Sequence, residues 1–146
     1  TDKKSGTGGA DFSFPHLVKW AEMATRAESE RALANLPISG SQLFVIVLLD
    51  ERGEATSAEL ARMMRITPQA LTTLLRPLRD DGFITRTTDA AHRRRLPLSL
   101  TDKGAAVLRQ ARDLSPAVED KLLARFSSDE RRQFKEMLAR LARDFD

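Results

Sequence analysis

The chain has 146 residues, of which 41% are hydrophobic, 31% charged and 5% aromatic, a composition typical of a soluble protein with one domain. It has no cysteine, which excludes disulfides, thiolate metal sites and a cysteine-based redox switch. No stretch resembles a signal peptide, and the longest apolar run, residues 43–49, is far shorter than the ~20 residues that span a bilayer. We therefore expect a cytoplasmic protein.

Charge is distributed unevenly along the chain. The net charge is only +3, but residues 62–95 contain eight arginines and three aspartates, so this segment carries an excess of positive charge. A basic middle segment indicates an anionic partner such as nucleic acid. The alternative is a solvated surface that happens to favour arginine, and the charge alone leaves the two interpretations balanced.

The N-terminal segments predict an arm followed by a helix. Residues 1–10 are rich in glycine and poor in apolar side chains, which is typical of a disordered arm. Ser13 and Pro15 favour a helix start, and apolar residues recur at helical spacing after them. These signals predict a helix over residues 14–35, which is broken by Gly40 and the proline before it.

The apolar run LFVIVLL, residues 43–49, is ambiguous on local grounds. Seven consecutive apolar residues, several of them β-branched, fit either a buried strand or a buried helix. Ser41 is a candidate N-cap for the helix, and the polar residues after the run fit the end of either element.

Two short helices are predicted next, separated by three residues. Thr56 or the serine after it can cap the first helix, over residues 58–64. Thr67, followed by proline, is a favoured start for the second helix, and Gly82 is a natural stop. Pro77 lies inside the second helix, where it removes a backbone donor.

The C-terminal part predicts two further long helices. Thr101 can cap the first, whose apolar residues recur at helical spacing although Pro116 interrupts it. Ser127 and Glu130 have the spacing of a capping box in front of the last helix.

The order of the central elements is the informative feature. Residues 83–87 and 96–100 predict a hairpin with an arginine-rich tip, and it follows the two short helices. This order is typical of a winged helix-turn-helix, in which the second helix presents its N-terminal part to the major groove and the hairpin contacts phosphates or the minor groove. A bundle corner beside a solvated loop is the plain alternative. The predicted DNA-binding residues are Thr67, Gln69, Ala70, Thr72, Thr73, Arg76, Arg93, Arg94 and Arg95.

Residues 41–141 resemble the MarR family of transcription regulators. The resemblance is carried by LA at residues 60–61, by the pattern L..DGF.TR at residues 78–86, by the RR of the hairpin and by LT..G at residues 100–104. It implies that LFVIVLL is a helix and that the fold is mainly α with a small β-hairpin. It also implies a homodimeric regulator, most often a repressor, on a pseudo-palindromic DNA site.

The resemblance also implies a division of the chain. Within a single domain of residues 11–146, residues 41–100 would form the winged helix-turn-helix lobe, while residues 11–40 and 101–146 would supply dimerisation helices. The residue pattern agrees, because three long amphipathic helices have more apolar surface than one small lobe can cover. Two-fold symmetry then predicts half-sites whose centres lie ~10 bp apart.

Two positions depart from the family pattern. His92 stands where an aspartate usually steadies the tip arginine, here Arg94, and Asp89 is a candidate substitute. Pro77 stands where a basic residue is common, which weakens any phosphate contact from that turn.

Members of the family commonly respond to small aromatic or phenolic anions that bind between the dimerisation helices and the lobe. The candidate effector residues are His16, Lys19, Trp20, Phe44 and Leu48. The competing interpretation assigns the three apolar residues of this set to the core and the other two to the surface.

Other classes of function have less support. The chain has two histidines, no cysteine, no tyrosine and no glycine-rich phosphate loop. Since few residues could act as nucleophiles or metal ligands, we expect no enzyme, no cofactor and no metal site. A winged-helix module that binds protein and a non-specific DNA-compacting protein are the alternatives to a regulator.

Overall fold

The structure is a computed structural model that describes residues 12–87 and 96–143. The predicted arm and the hairpin tip lie outside these residues. The described part contains six helices and one two-stranded sheet, as expected for a mainly α fold with a β-hairpin. In chain order the elements are α1 (Phe14–Ala32), α2 (Gly40–Arg52), α3 (Ser57–Met64), α4 (Pro68–Asp80), β1 (Ile84–Arg86), β2 (Leu98–Leu100), α5 (Asp102–Leu122) and α6 (Ser128–Arg143).

The ambiguous apolar run is helical and lies inside α2. Its N-cap is Ser39 and not Ser41: the Gln42 amide donates to Ser39 Oγ at 3.2 Å, and the Ser39 amide donates to Gln42 Oε1 at 2.9 Å. This reciprocal capping box makes Gly40 the first residue of a helix instead of a breaker. The cap predicted at Ser41 and the break predicted at Gly40 are both wrong for the same reason. Several small polar residues could cap a helix here, and Ser39 is the one that exchanges bonds with Gln42.

The helix-turn-helix starts are capped as predicted. Thr56, and not the serine after it, caps α3, and its hydroxyl oxygen accepts from the Glu59 amide at 3.2 Å. The turn between the helices passes through Arg65, whose φ of 54° is left-handed. Thr67 then caps α4, its hydroxyl oxygen accepting from the Ala70 amide at 3.1 Å. These local bonds fix where both helices begin.

The lobe has one continuous apolar core, built by α2, α3, α4, the sheet and the first half of α5. Its fully buried side chains include Ile46, Leu49, Leu60, Leu71 and Leu98. The core holds α4 against the lobe through one face, so its other face is left to solvent.

The hairpin strands pair antiparallel, with Thr85 opposite Ser99. They are shorter than predicted, although the Thr87 amide donates to the Pro97 carbonyl at 2.9 Å and continues the hairpin by one step. Ala55 forms an isolated bridge to Leu98, which ties the start of the helix-turn-helix to the base of the hairpin.

The first turn of α5 is fastened to the end of α4. The Thr101 hydroxyl donates to the Gly82 carbonyl at 2.5 Å, and Lys103 Nζ donates to the Asp81 carbonyl at 2.6 Å. Gly104 lies so close to Phe83 that a Cβ atom would overlap the Phe83 carbonyl oxygen. The two helices therefore meet at a rigid junction.

The terminal helices differ from the lobe. Neither α1 nor α6 contains a buried residue, and Trp20 on α1 is 51% exposed. Ion pairs join these helices to the second half of α5: Lys121 to Glu28 at 2.8 Å, and Arg131 to Asp120 at 2.7 Å. Helix α1 also ends at Ala32, earlier than predicted. No helix in the described residues is long and apolar enough to cross a membrane.

Candidate nucleic-acid interface

The exposed face of α4 carries the predicted base-reading residues. Its opposite face, with Leu71, Leu75 and Leu78, is buried in the lobe. Since a helix has 3.6 residues per turn, residues three or four positions apart share a face, and the remaining positions point outward. The exposed set is Gln69, Ala70, Thr72, Thr73 and Arg76, with Thr67 as the exposed N-cap.

Both threonine hydroxyls on this face bond to the helix itself. Thr72 Oγ1 donates to the Pro68 carbonyl at 2.9 Å, and Thr73 Oγ1 donates to the Gln69 carbonyl at 3.2 Å. Such bonds hold each side chain in a fixed rotamer.

Three arginines lie beside this face and line one open pocket of about 410 Å³. They are Arg76 and Arg79 from α4, and Arg86 from β1. Within residues 12–87 and 96–143 their guanidinium groups have no hydrogen-bond or ion-pair partner. The pocket has an excess of positive charge, because its lining holds three arginines and one acid, Asp80. Ser57, Thr72 and Leu75 complete the lining.

Only one of these arginines was predicted as a site residue. Arg79 follows Arg76 at helical spacing, which is a sequence signal for a shared face. Arg86 is brought to the pocket by the hairpin, and only the fold shows that it lies there.

Helix α3, which packs against α4, contains a glutamate with a lowered pKa, Glu59. The backbone amide and hydroxyl of Thr56 bond to Glu59 and hold the pKa of its carboxyl below the usual value, because a carboxylate that accepts hydrogen bonds is favoured in its charged form. The charged Glu59 completes the capping box of α3 and stabilises the helix that packs against α4.

The wing arginines 93–95, and His92 beside them, lie outside the described residues. Their roles stay predictions.

The predicted effector residues are placed on two helices. His16 bonds to Ser13 at 2.6 Å, and Lys19 lines an open groove of about 430 Å³ with Phe14 and Leu141 among its other walls. Trp20 and Phe44 are half exposed, so the interpretation that assigned them to the core is wrong for the single chain.

Leu48 of α2 is partly buried against the lobe core. A separate small cavity of about 110 Å³ lies where α1, α2 and α5 meet, and its lining contains none of the five effector candidates. It is formed by Ser29, Ala32, Leu33, Leu43, Ala111, Leu114, Ser115 and Val118.

Comparisons with known proteins place this architecture in a family. The family model for MarR matches residues 38–96. The HTH-type transcriptional repressor Rv2887 of Mycobacterium tuberculosis is 35% identical over 134 residues, which cover 92% of this chain and 96% of the relative. The HTH-type transcriptional repressor MdtR of Bacillus subtilis is 30% identical over 105 residues, covering 72% of this chain and 68% of the relative.

Solved structures agree with the sequence relatives. The MarR family protein Rv2887 of Mycobacterium tuberculosis in complex with DNA aligns with a TM-score of 0.77 at 32% identity, covering 90% of this chain and 98% of the other. The same protein has been solved with salicylic acid, at the same TM-score and coverage. MarR from E. coli shares the fold, with a TM-score of 0.79 at 21% identity over 89% of this chain and 96% of the other. The chain belongs to the MarR family of winged helix-turn-helix transcription regulators.

Proposed function

We propose that the chain is a cytoplasmic, sequence-specific repressor that binds a pseudo-palindromic operator as a homodimer and performs no catalysis. The observation that carries this proposal is the exposed face of α4. A helix fixed by its cap, buried on one side and lined on the other by short polar side chains fits the major groove of B-DNA.

The residues on this face have distinct roles in the proposal. Gln69 can pair with adenine and Arg76 with guanine, while Ala70 and the two threonines lie between them and face the bases. Thr67, at the start of the helix, lies close to the phosphates that flank the groove.

Phosphate contacts come from the arginines beside α4. The guanidinium groups of Arg79 and Arg86 form no ion pair with any residue that the structure describes, so they can contact phosphates without breaking such a pair. Phosphate contacts supply much of the affinity of DNA-binding proteins. Arg93, Arg94 and Arg95, which lie outside the described residues, are proposed to add further phosphate contacts.

The homodimer follows from the apolar surfaces that one chain leaves open. Leu17 and Met23 on α1, together with Met137 and Leu138 on α6, are each more than 40% exposed. Large exposed apolar surfaces on a soluble chain mark contacts with a partner. A second copy related by two-fold symmetry would bury them and would place two α4 helices on one inverted repeat.

A small aromatic anion is the proposed effector. The related Rv2887 has been solved with salicylic acid. On this chain Trp20 and Phe44 offer exposed rings, and Leu48 adds apolar contact. Lys19, which pairs with Glu22 at 3.5 Å, can exchange that partner for a carboxylate, and His16 can hydrogen-bond to it. A calorimetric titration with salicylate tests this: the Lys19→Met variant should bind more weakly, and equal affinity would remove Lys19 from the effector site.

Selection from a random pool of duplexes, with the stoichiometry of the complex recorded at physiological salt, tests the main proposal. An enriched inverted repeat bound by two chains is the expected result. Tight, salt-sensitive binding without enrichment would indicate compaction instead, since phosphate contacts carry no sequence information. Absence of binding would favour a protein-interaction module.

A further inference from the structure

The two threonines on the exposed face of α4 have no hydroxyl proton to offer DNA. A threonine hydroxyl carries one proton. In Thr72 that proton is donated to the Pro68 carbonyl at 2.9 Å, and in Thr73 it is donated to the Gln69 carbonyl at 3.2 Å. Neither side chain can therefore donate to guanine, to thymine O4 or to a phosphate oxygen without first breaking a bond within the helix.

Each threonine keeps its hydroxyl oxygen, which can only accept, and its γ-methyl group for contact with DNA. Because the hydroxyl is turned back along the helix, the methyl group is the other substituent on a β-carbon whose rotamer is fixed. Thr72 and Thr73 are both exposed, and so is Ala70, which lies three residues before Thr73 and shares its face. Ala70 and Thr73 thus place two methyl groups side by side on the exposed face. Thr72 presents its methyl group separately, on the side of the face that carries Arg76.

The major groove offers one apolar partner for these methyl groups. The C5-methyl group of thymine is the methyl substituent that distinguishes thymine from the other bases in this groove. Contact between two methyl groups excludes water from both and needs no hydrogen-bond geometry.

We propose that α4 selects thymine by methyl contact through Ala70, Thr72 and Thr73, so that each half-site carries thymines opposite these residues. The inference rests on the proposed function, since it requires α4 to lie in the major groove. It assigns hydrogen-bond donation to the base edges to Gln69 and Arg76, because the two threonine hydroxyls can only accept.

The first arm of the test changes only the DNA. Two random duplex pools, one made with thymidine and one with deoxyuridine, differ by the C5-methyl group and keep every hydrogen-bonding group. The thymidine pool should yield half-sites with fixed thymines. Replacing one of them by deoxyuridine should weaken binding ~4-fold, the free energy of one buried methyl group expressed as a ratio.

The second arm changes the protein at one atom. Thr73→Val keeps the methyl group and removes the hydroxyl, whereas Thr73→Ser keeps the hydroxyl and removes the methyl. On the thymine operator Thr73→Val should bind within about 2-fold of the parent and Thr73→Ser ~4-fold more weakly, since only the serine variant loses apolar contact. On the operator with deoxyuridine at the matching position, Thr73→Ser and the parent should bind alike.

Three results would overturn the inference. Equal binding to the thymine and uracil operators would show that no methyl group is read. A loss in Thr73→Val with full affinity in Thr73→Ser would assign readout to the hydroxyl, and either result leaves the proposed function standing if an inverted repeat is still enriched. Absence of DNA binding by the parent chain would overturn both together.

Discussion

The lobe and the terminal helices differ in how much of their apolar surface a single chain buries. The lobe buries Val45, Ile46 and Leu49 completely within one chain, whereas α1 and α6 contain no buried residue. Phe14 at the start of α1 is 61% exposed. The lobe therefore buries its core within one chain, while the terminal helices leave apolar side chains exposed, as the proposed dimer requires.

Helix α5 belongs to both regions. Its first half is buried in the lobe through Val107 and Leu108, and its first turn is fastened to the end of α4 through Thr101 and Gly104. Its second half is exposed or half buried and pairs with α1 through Lys121. One continuous helix, α5, thus links the terminal helices to α4, so a change in how the terminal helices pack can move α4.

Leu138→Asp in α6 should have the largest effect on the free energy of association, because the substitution occurs twice in a symmetric dimer. Each copy loses ~2 kcal/mol of apolar burial, so the free energy of dimerisation should weaken by about 4 kcal/mol. Light scattering across a dilution series measures the shift to monomers. Gln133→Asp, on the opposite side of α6, introduces the same charge and should leave the dimer intact. A dimer that survives Leu138→Asp would place the interface elsewhere.

Leu60→Ala tests the lobe. Leu60 is fully buried, so the substitution removes apolar contact and leaves a cavity, and the free energy of unfolding should fall by about 3 kcal/mol. Urea denaturation at fixed protein concentration measures it. Gln69→Ala, on the exposed face of α4, should change stability by less than about 0.5 kcal/mol. Equal effects from the two variants would contradict the assignment of the core.

Arg86→Ala tests the arginine-lined pocket. Removing one phosphate contact should weaken binding to every DNA sequence by roughly 10-fold at low salt, and reduce the slope of log affinity against log salt by ~0.9. Arg125→Ala removes the same charge from the turn between α5 and α6 and should leave the slope unchanged. If both variants lower the slope equally, the effect is one of net charge and the pocket has no special role.

The smallest expected effect is on the pH dependence of stability and involves Glu59, the acid in the capping box of α3. The folded chain lowers the pKa of Glu59, so its contribution to stability is present above the ordinary glutamate pKa of ~4.3 and is lost as the pH falls through the lower folded value. Below that ordinary value, stability should therefore fall less steeply with decreasing pH in Glu59→Gln than in the parent. Thermal midpoints between pH 3 and 6 (roughly the window of carboxyl titration) measure the difference, and parallel curves would show that the capping box does not act through charge.

Local sequence signals were sufficient to predict where several helices begin, because a helix start is decided within one helical turn. Thr67, Thr101 and the Ser127–Glu130 pair lie where a cap was predicted, since an N-cap depends on side chains within three residues. The segment LFVIVLL lacks such a signal, because a continuous apolar run fits a buried strand and a buried helix equally well. Its helical state followed from the family resemblance.

The features that depend on distant parts of the chain were not predictable in this way. The competing interpretation assigned Trp20 and Phe44 to a core because apolar residues are usually buried, but both are about half exposed in the folded chain. Arg79 and Arg86 share a pocket because the hairpin folds beside α4. Spacing along the chain can indicate a shared helix face, but it does not report a neighbour on another element.

The mass of the free protein in solution tests the central claim most directly. If the exposed faces of α1 and α6 are a dimer interface, light scattering at micromolar concentration should give twice the chain mass of 16.3 kDa. The Leu138→Asp variant should move toward the single-chain value. A parent protein that stays at 16.3 kDa with a cooperative unfolding transition would contradict the claim that a single chain is incomplete.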